Sequence, residues 1–450
     1  IKPLDIEEID REPKHIELEK KKFDNNVEKL FYKINTKGIT YLDFFFDARV
    51  VPKEDIPYLS LLEALLKEAR TQNYDYEKWS NIVNINTGGL NFVLRNITKE
   101  ENMQLIPKFC IETKVLDKNI DKISNIIEEI INNCEFDDFK VKEILQRIKS
   151  KYEIKIMERG HMIAFLRNQS MASDSGAYNE FAKGISYYKF VRELLENFDN
   201  NKNNVIDKLN DVYQKIFNKD NLIISITSKL KELPKFEELN VSNKKLNIEN
   251  LSFNLESKNE AFKTSSPLDY VCKGFNYKKA GFETTGKLHV LNNYLRYKYL
   301  WDKLRLQGGA YGGGLGLRRD GSFSLFSFRD PRLKGTLEDY DRLAEHLEQL
   351  DLDENDIKKF IIGAIGELDE PLKPHEEGFK ASIEYLKGIG FDMLRKERNE
   401  VLTTNLDKLS KLSKMIREVI NNKGNICVIG NENLIDKNKD LFDNIEKPLD

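Results

Sequence analysis

Arg305 and Tyr311 stand six positions apart in the segment "RLQGGAYGGG", among five glycines. A guanidinium and a phenol both donate hydrogen bonds when they face a carbonyl oxygen. Donors aimed at the place where negative charge builds up are how acyl-transfer transition states are stabilised. Glycines on both sides let a second backbone come close, because they carry no side chain and accept left-handed conformations. A flexible surface loop with a capping arginine and a packed tyrosine would use the same residue types.

The elements that must position this pair can be read around it. Residues 285–304 carry two neighbouring apolar stripes, Leu288, Leu291, Leu295, Tyr299 and Tyr294, Tyr297, Trp301, Leu304. That pattern predicts a helix buried over much of its surface. Arg305 then falls at the helix C-terminus, where a cation suits the dipole, and the following glycines end the helix. A glycine loop leads on to the strand "GSFSLFSF". This second unit, residues 267–450, opens with the strand "DYVCKGFNY" and closes near "GNICVIGNEN".

The first unit, residues 1–232, starts with a predicted hairpin of "VEKLFYKI" and "GITYLDFFFDA". A helix follows with Asp55 as its N-cap, then the strands "GLNFVLRNI" and "IPKFCIETKVL". Residues 117–200 are mostly helical, broken near "SMASDSG", where Asp174 or Ser175 caps the next helix. The buried strand "NLIISITS" closes the unit. Residues 233–266 are polar and aperiodic and are expected to form a linker with at most short strands. "KDNLIISI" and "KGNICVIG" lie 204 residues apart at matching places. Together they predict an α+β fold made of two α/β-sandwich domains of one plan.

Composition excludes several function classes. Lys and Arg total 72 against 75 Asp and Glu, so there is no basic excess to favour nucleic acid or a membrane surface. No apolar run reaches the length of a membrane-spanning helix. Cys110, Cys134, Cys272 and Cys427 show no short spacing and read as reduced, separately placed thiols of a cytoplasmic protein. His15, His161, His289, His346 and His375 form neither H-E-x-x-H nor H-x-x-E-H, so this chain is expected to bind no metal. No G-x-S-x-G elbow or Walker lysine is present, and "DLDEND" lacks the glycine and glutamate of a calcium loop. In "FRDP", Arg329 and Asp330 are expected to make a local ion pair or a turn-forming contact.

The segments "RLQGGAYGGG", "FSFRDPRLKGTLEDYDRLAEHL" and "AIGELDEPLKPHEEGFKASIEYLKGI" resemble the C-terminal half of the presequence-protease and falcilysin group. That group belongs to the pitrilysin-like inverzincin metallopeptidases. The resemblance continues through "ERGHMIAFLRNQSMASDSGAYNEFAKGISYYKFVRELLEN" and so covers nearly the whole chain. It implies two domains of the pitrilysin type, the third and fourth of a four-domain enzyme that closes around an unstructured peptide. It implies that Arg305 and Tyr311 reach the substrate, with Gly308, Gly309 and Ala310 beside its backbone. Zinc would be supplied by the N-terminal catalytic half of the same polypeptide. The departure from the family is the missing H-x-x-E-H. Two readings account for it: a C-terminal portion of a longer peptidase, or a non-catalytic paralogous subunit that partners an active one. The first residue, Ile1, and a linker-like opening favour the former.

Overall fold

The computed structural model describes residues 5–450. Two six-stranded sheets carry the chain. The first contains β1 (Glu19–Lys22), β2 (Glu28–Lys33), β3 (Ile39–Asp47), β4 (Leu90–Arg95), β5 (Lys108–Leu116) and β6 (Leu222–Ser228). The second contains β7 (Glu260–Thr264), β8 (Tyr270–Asn276), β9 (Gly312–Leu317), β10 (Ser322–Phe328), β11 (Asn425–Asn431) and β12 (Asn444–Glu446). Their spatial orders are β1-β2-β6-β3-β5-β4 and β12-β7-β11-β8-β10-β9.

These orders repeat one plan. β2 and β6 run parallel, as do β7 and β11. Antiparallel pairs then follow in the same sequence, β6–β3, β3–β5, β5–β4 in one sheet and β11–β8, β8–β10, β10–β9 in the other. The two echoing segments thus become β6 and β11, equivalent central strands. The fold is α+β, built twice.

The predicted hairpin is corrected by this topology. β6 lies between β2 and β3, so those two strands do not pair. Apolar alternation tells which face of a strand is buried but not which strand lies alongside. β6 itself is buried on both faces, as an inner strand should be. β7 begins at Glu260, within the stretch read as linker, whose remainder lays Phe236, Leu239, Val241 and Leu251 into the first core.

Helices α1 (Ile56–Leu66), α2 (Asp138–Glu158), α3 (Gly160–Ser170), α4 (Asp174–Lys183), α5 (Lys287–Tyr294) and α6 (Pro374–Lys387) are the ones that position the site. α3 belongs by sequence to the first half but packs on β8, β10 and β11 of the second sheet. α6 belongs to the second half and packs on β6 and β2 of the first. Each exchange is pinned by buried polar contacts. Asn168 donates to the Asn425 carbonyl at 2.6 Å, and the hydroxyls of Ser225 and Ser382 lie 2.8 Å apart. Arg167 donates twice to Glu260, at 2.5 and 2.9 Å. Such pairs add about 1 kcal/mol each, and breaking one leaves a costlier unpaired group.

Three local expectations shift. Asp55 precedes α1, but its carboxylate accepts from Lys208 at 2.9 Å instead of from the helix end. Ser173, extended at φ −157°, caps α4 by accepting from the Gly176 amide at 3.0 Å, while Asp174 and Ser175 already lie inside the helix. Cys272 and Cys427, read as separate thiols, face each other across β8 and β11; all four cysteines are free and buried.

Candidate functional site

α5 does not continue as an α-helix to its end. From Leu295 to Tyr299 and again from Trp301 to Gln307 the turns widen to the π type. A π turn takes more residues, so it rotates the faces that a 3.6-residue period predicts. Leu295, Tyr299, Leu300 and Leu304 stay in the core. Tyr297, Trp301 and Leu306 come to the surface, 59%, 43% and 67% exposed. The second apolar stripe is therefore partly open, where the sequence pattern placed it inside.

The turn after this helix is fixed from beneath. The Arg332 guanidinium occupies the space a Gly308 side chain would need, and it donates to the Lys303 carbonyl at 3.1 Å and to Asp339 at 3.0 Å. Gly309 takes the left-handed conformation, φ +78°. Ala310 is buried, its amide donating to the Leu304 carbonyl at 2.9 Å. The Tyr311 amide reaches the Phe328 carbonyl at 3.1 Å. "GGAYG" and "FRDPR" are thus packed against one another.

From Gly312 onward the glycines run as β9, paired with β10 from Gly312–Phe328 to Leu317–Phe323. The expected loop is consequently half its length. Low strand propensity of glycine hides the strand in the sequence, while the missing side chains make room for Leu304 at Gly313, Phe326 at Gly314 and Phe165 at Gly316. β9 has a partner on one side only.

Arg305 and Tyr311 come together on this base. The Arg305 guanidinium lies between the rings of Trp301, 4.5 Å from its centroid, and Tyr311, 5.4 Å from its centroid. One arm donates to the Tyr311 carbonyl at 2.8 Å. Tyr311 is 63% exposed, its ring set edge-on against Phe328 at 5.4 Å. Its hydroxyl has no hydrogen-bond partner among the described residues. Cation–π contacts of this kind contribute about 0.5–1 kcal/mol at the surface. They hold the long arginine in one posture with its remaining donors turned outward.

Of the candidate residues, Arg305, Gly309 and Tyr311 reach the surface, whereas Gly308 and Ala310 lie below it and shape the turn. Asp330 makes turn-forming contacts: it accepts from the Arg332 amide at 2.9 Å and from Thr336 at 2.6 Å. Arg329 sits at φ +50°. Trp301, Phe328 and Arg332 were not singled out by sequence. Trp301 had a signal, four positions before Arg305 on a helix; the other two had none.

The described residues contain no group of three His, Cys, Asp or Glu side chains fit to hold a metal. His15 packs on Phe391, His161 on Phe326 and Phe328, His346 on Tyr294, and His375 on Tyr41. The three-ligand set of a catalytic zinc is not assembled from them.

The fold is that of M16 peptidase modules. The structure described as a peptidase M16 inactive domain from Pseudomonas fluorescens superposes with a TM-score of 0.65 at 13% identity, covering 92% of this chain and 98% of that one. The periplasmic protease PqqL from Escherichia coli gives 0.60 at 10% identity, covering 94% of this chain and 49% of that one. Two family models match the sequence. One, the domain associated with subfamily C of the M16 peptidases, spans residues 3–194, and the other, the "PreP C-terminal domain", spans residues 259–432. The chain belongs to subfamily C of the M16 peptidases. It is similar to Protein HypA of Clostridium perfringens (strain 13 / Type A), 35% identical over 99% of this chain and 46% of the relative. It is also similar to Presequence protease 1, chloroplastic/mitochondrial, of Arabidopsis thaliana, 26% identical over 96% of this chain and 41% of the relative. The chain thus spans less than half the length of these curated relatives.

Proposed function

We propose that this chain is the substrate-gripping half of a zinc endopeptidase that degrades short unstructured peptides inside a closed chamber. The observation that carries the reading is the Arg305–Tyr311 pair, adjacent, largely exposed and fixed on a glycine turn beside an open-edged strand. Zinc would come from an N-terminal half of the same polypeptide, as the greater length of the relatives suggests; it supplies the activated water such peptidases need. In this chain, the Tyr311 hydroxyl donates to the carbonyl oxygen as it gains charge, a bond stronger in the transition state than in the ground state. Arg305 donates to a neighbouring peptide carbonyl and fixes the register of the substrate. Gly309 lets the peptide backbone approach, while Gly308 and Ala310 hold the turn at the right height. Four free buried thiols suit a reducing compartment such as the cytoplasm. No helix among the described residues is long and apolar enough to cross a membrane.

The complete gene product should cleave a quenched unstructured peptide and lose that activity to a chelator, while the 450-residue chain alone should be inert and free of zinc by metal analysis. Cleavage by the isolated chain would contradict the proposal. A complete product that cleaves nothing would point instead to a binding partner of an active peptidase.

A further inference from the structure

A cleft of about 890 Å³ lies between β4 and β9, the open edges of the two sheets. Five cations line it, Arg95, Lys155, Lys183, Arg318 and Lys387, and no Asp or Glu does. Arg95 is paired with Glu112 outside the cleft. The other four have no carboxylate within ion-pair distance among the described residues. Lys183 donates to the Leu94 carbonyl at 2.9 Å, Lys155 rides the Tyr152 ring at 5.0 Å, and Arg318 rides Phe165 at 5.2 Å.

Gathering cations in a partly enclosed space without counter-charge is unfavourable. Burial pushes Lys155, Lys183 and Lys387 below the usual lysine range, and neighbouring cations push them further. Elsewhere the chain balances its charges closely, at a net −3. The imbalance is local and faces a hollow with an aromatic lining, Phe165, Phe326 and Phe379. The cleft is also continuous with the candidate site. Tyr311 packs on Phe328, Phe328 on His161 at 4.7 Å, and His161 on Phe326 at 5.8 Å.

We infer that this cleft is a carboxylate-recognising subsite, which extends the Arg305–Tyr311 site along β9 and takes acidic side chains or the C-terminal carboxylate of a peptide. The inference rests on the reading that this chain grips peptides. An arriving carboxylate would relieve the repulsion among Lys155, Lys183, Arg318 and Lys387, and charge-assisted hydrogen bonds to it are about twice as strong as neutral ones.

The test is calorimetric titration of the chain with a short Gly/Ser/Phe peptide in three forms: internal glutamates with an amidated C-terminus, no acidic residue with a free C-terminus, and no acidic residue with an amidated C-terminus. One or both carboxylate forms should bind roughly tenfold tighter than the neutral form, and the preference should shrink with added salt. Which form does so separates side-chain from terminal recognition. Lys387→Gln and Arg318→Gln should each remove most of the preference without weakening the neutral peptide, and Lys387→Arg should keep it. Equal binding of all three forms, no binding of any, or a preference untouched by both neutral variants would overturn the inference. Tyr311→Phe separates the two claims. A carboxylate preference with cleavage by the complete product unaffected by Tyr311→Phe leaves the cleft standing and removes the grip. Cleavage dependent on Tyr311 with no carboxylate preference does the reverse.

Discussion

At the scale of single residues, the Arg305–Tyr311 pair depends on neighbours of very different kinds. Trp301 stacks on the arginine, Phe328 supports the tyrosine, and Arg332 props the turn from below. The pair itself was legible, because donor side chains among glycines are unusual enough to notice. Its supports were not, since Arg332 acts from a segment that becomes adjacent only through folding. Asp269 makes a further residue-level claim. It is fully buried at the entrance to β8, one oxygen accepting from the Asn431 amide at 2.7 Å and the other unpaired. Burial raises its carboxyl to about 7, with Asp330 adding to the rise and the Asn431 amide opposing it. An unfolded aspartate ionises near 3.9. Between those values the folded chain holds the extra proton, so the contribution is complete below the unfolded pKa and is lost as pH rises through about 7. Asp269→Asn should flatten the fall in unfolding midpoint between about pH 5 and pH 8. An unchanged slope in denaturant titrations would count against this assignment.

At the scale of elements, the strands and long helices were mostly legible and their partnerships were not. β3 and β5 announce themselves by alternating apolar residues, yet nothing in β2 or β3 shows that β6 will come between them. β9 escaped because packing of Leu304, Phe326 and Phe165 onto its glycines, not propensity, makes it a strand. The π turns after α5 escaped because periodicity assumes a constant pitch, and they are what turn Trp301 outward. The exchanged helix α6 meets β6 through Gly378, where a side chain would overlap Thr227. Alanine in place of a helix glycine gains about 0.8–1.0 kcal/mol of propensity. Overpacking costs about 1–3 kcal/mol, so Gly378→Ala should destabilise by up to about 2 kcal/mol. A denaturation midpoint equal to or above the wild type would mean that α6 sits less tightly on β6.

At the scale of the whole molecule, two copies of one plan were legible from the echo of "KDNLIISI" in "KGNICVIG". The exchange of α3 and α6 between them was not, because it rests on contacts hundreds of residues apart. Its consequence is mechanical unity: neither sheet is fully covered without a helix from the other half. The chain has two tryptophans, Trp79 in the first core and Trp301 beside Arg305 in the second unit. Single Trp79→Phe and Trp301→Phe variants therefore report the two units separately. Both fluorescence transitions should fall at the same denaturant concentration, within the small shift each substitution causes, as a single cooperative unit requires. Two well-separated midpoints would show that the units unfold independently.

The central claim is that Tyr311 acts on the reacting peptide. The direct measurement is kcat and KM for the complete gene product and its Tyr311→Phe variant on one quenched unstructured peptide. The account predicts a kcat lowered by about 10²–10³, the loss typical of a single oxyanion donor, with KM changed far less. Unchanged turnover, or a loss confined to KM, would contradict it.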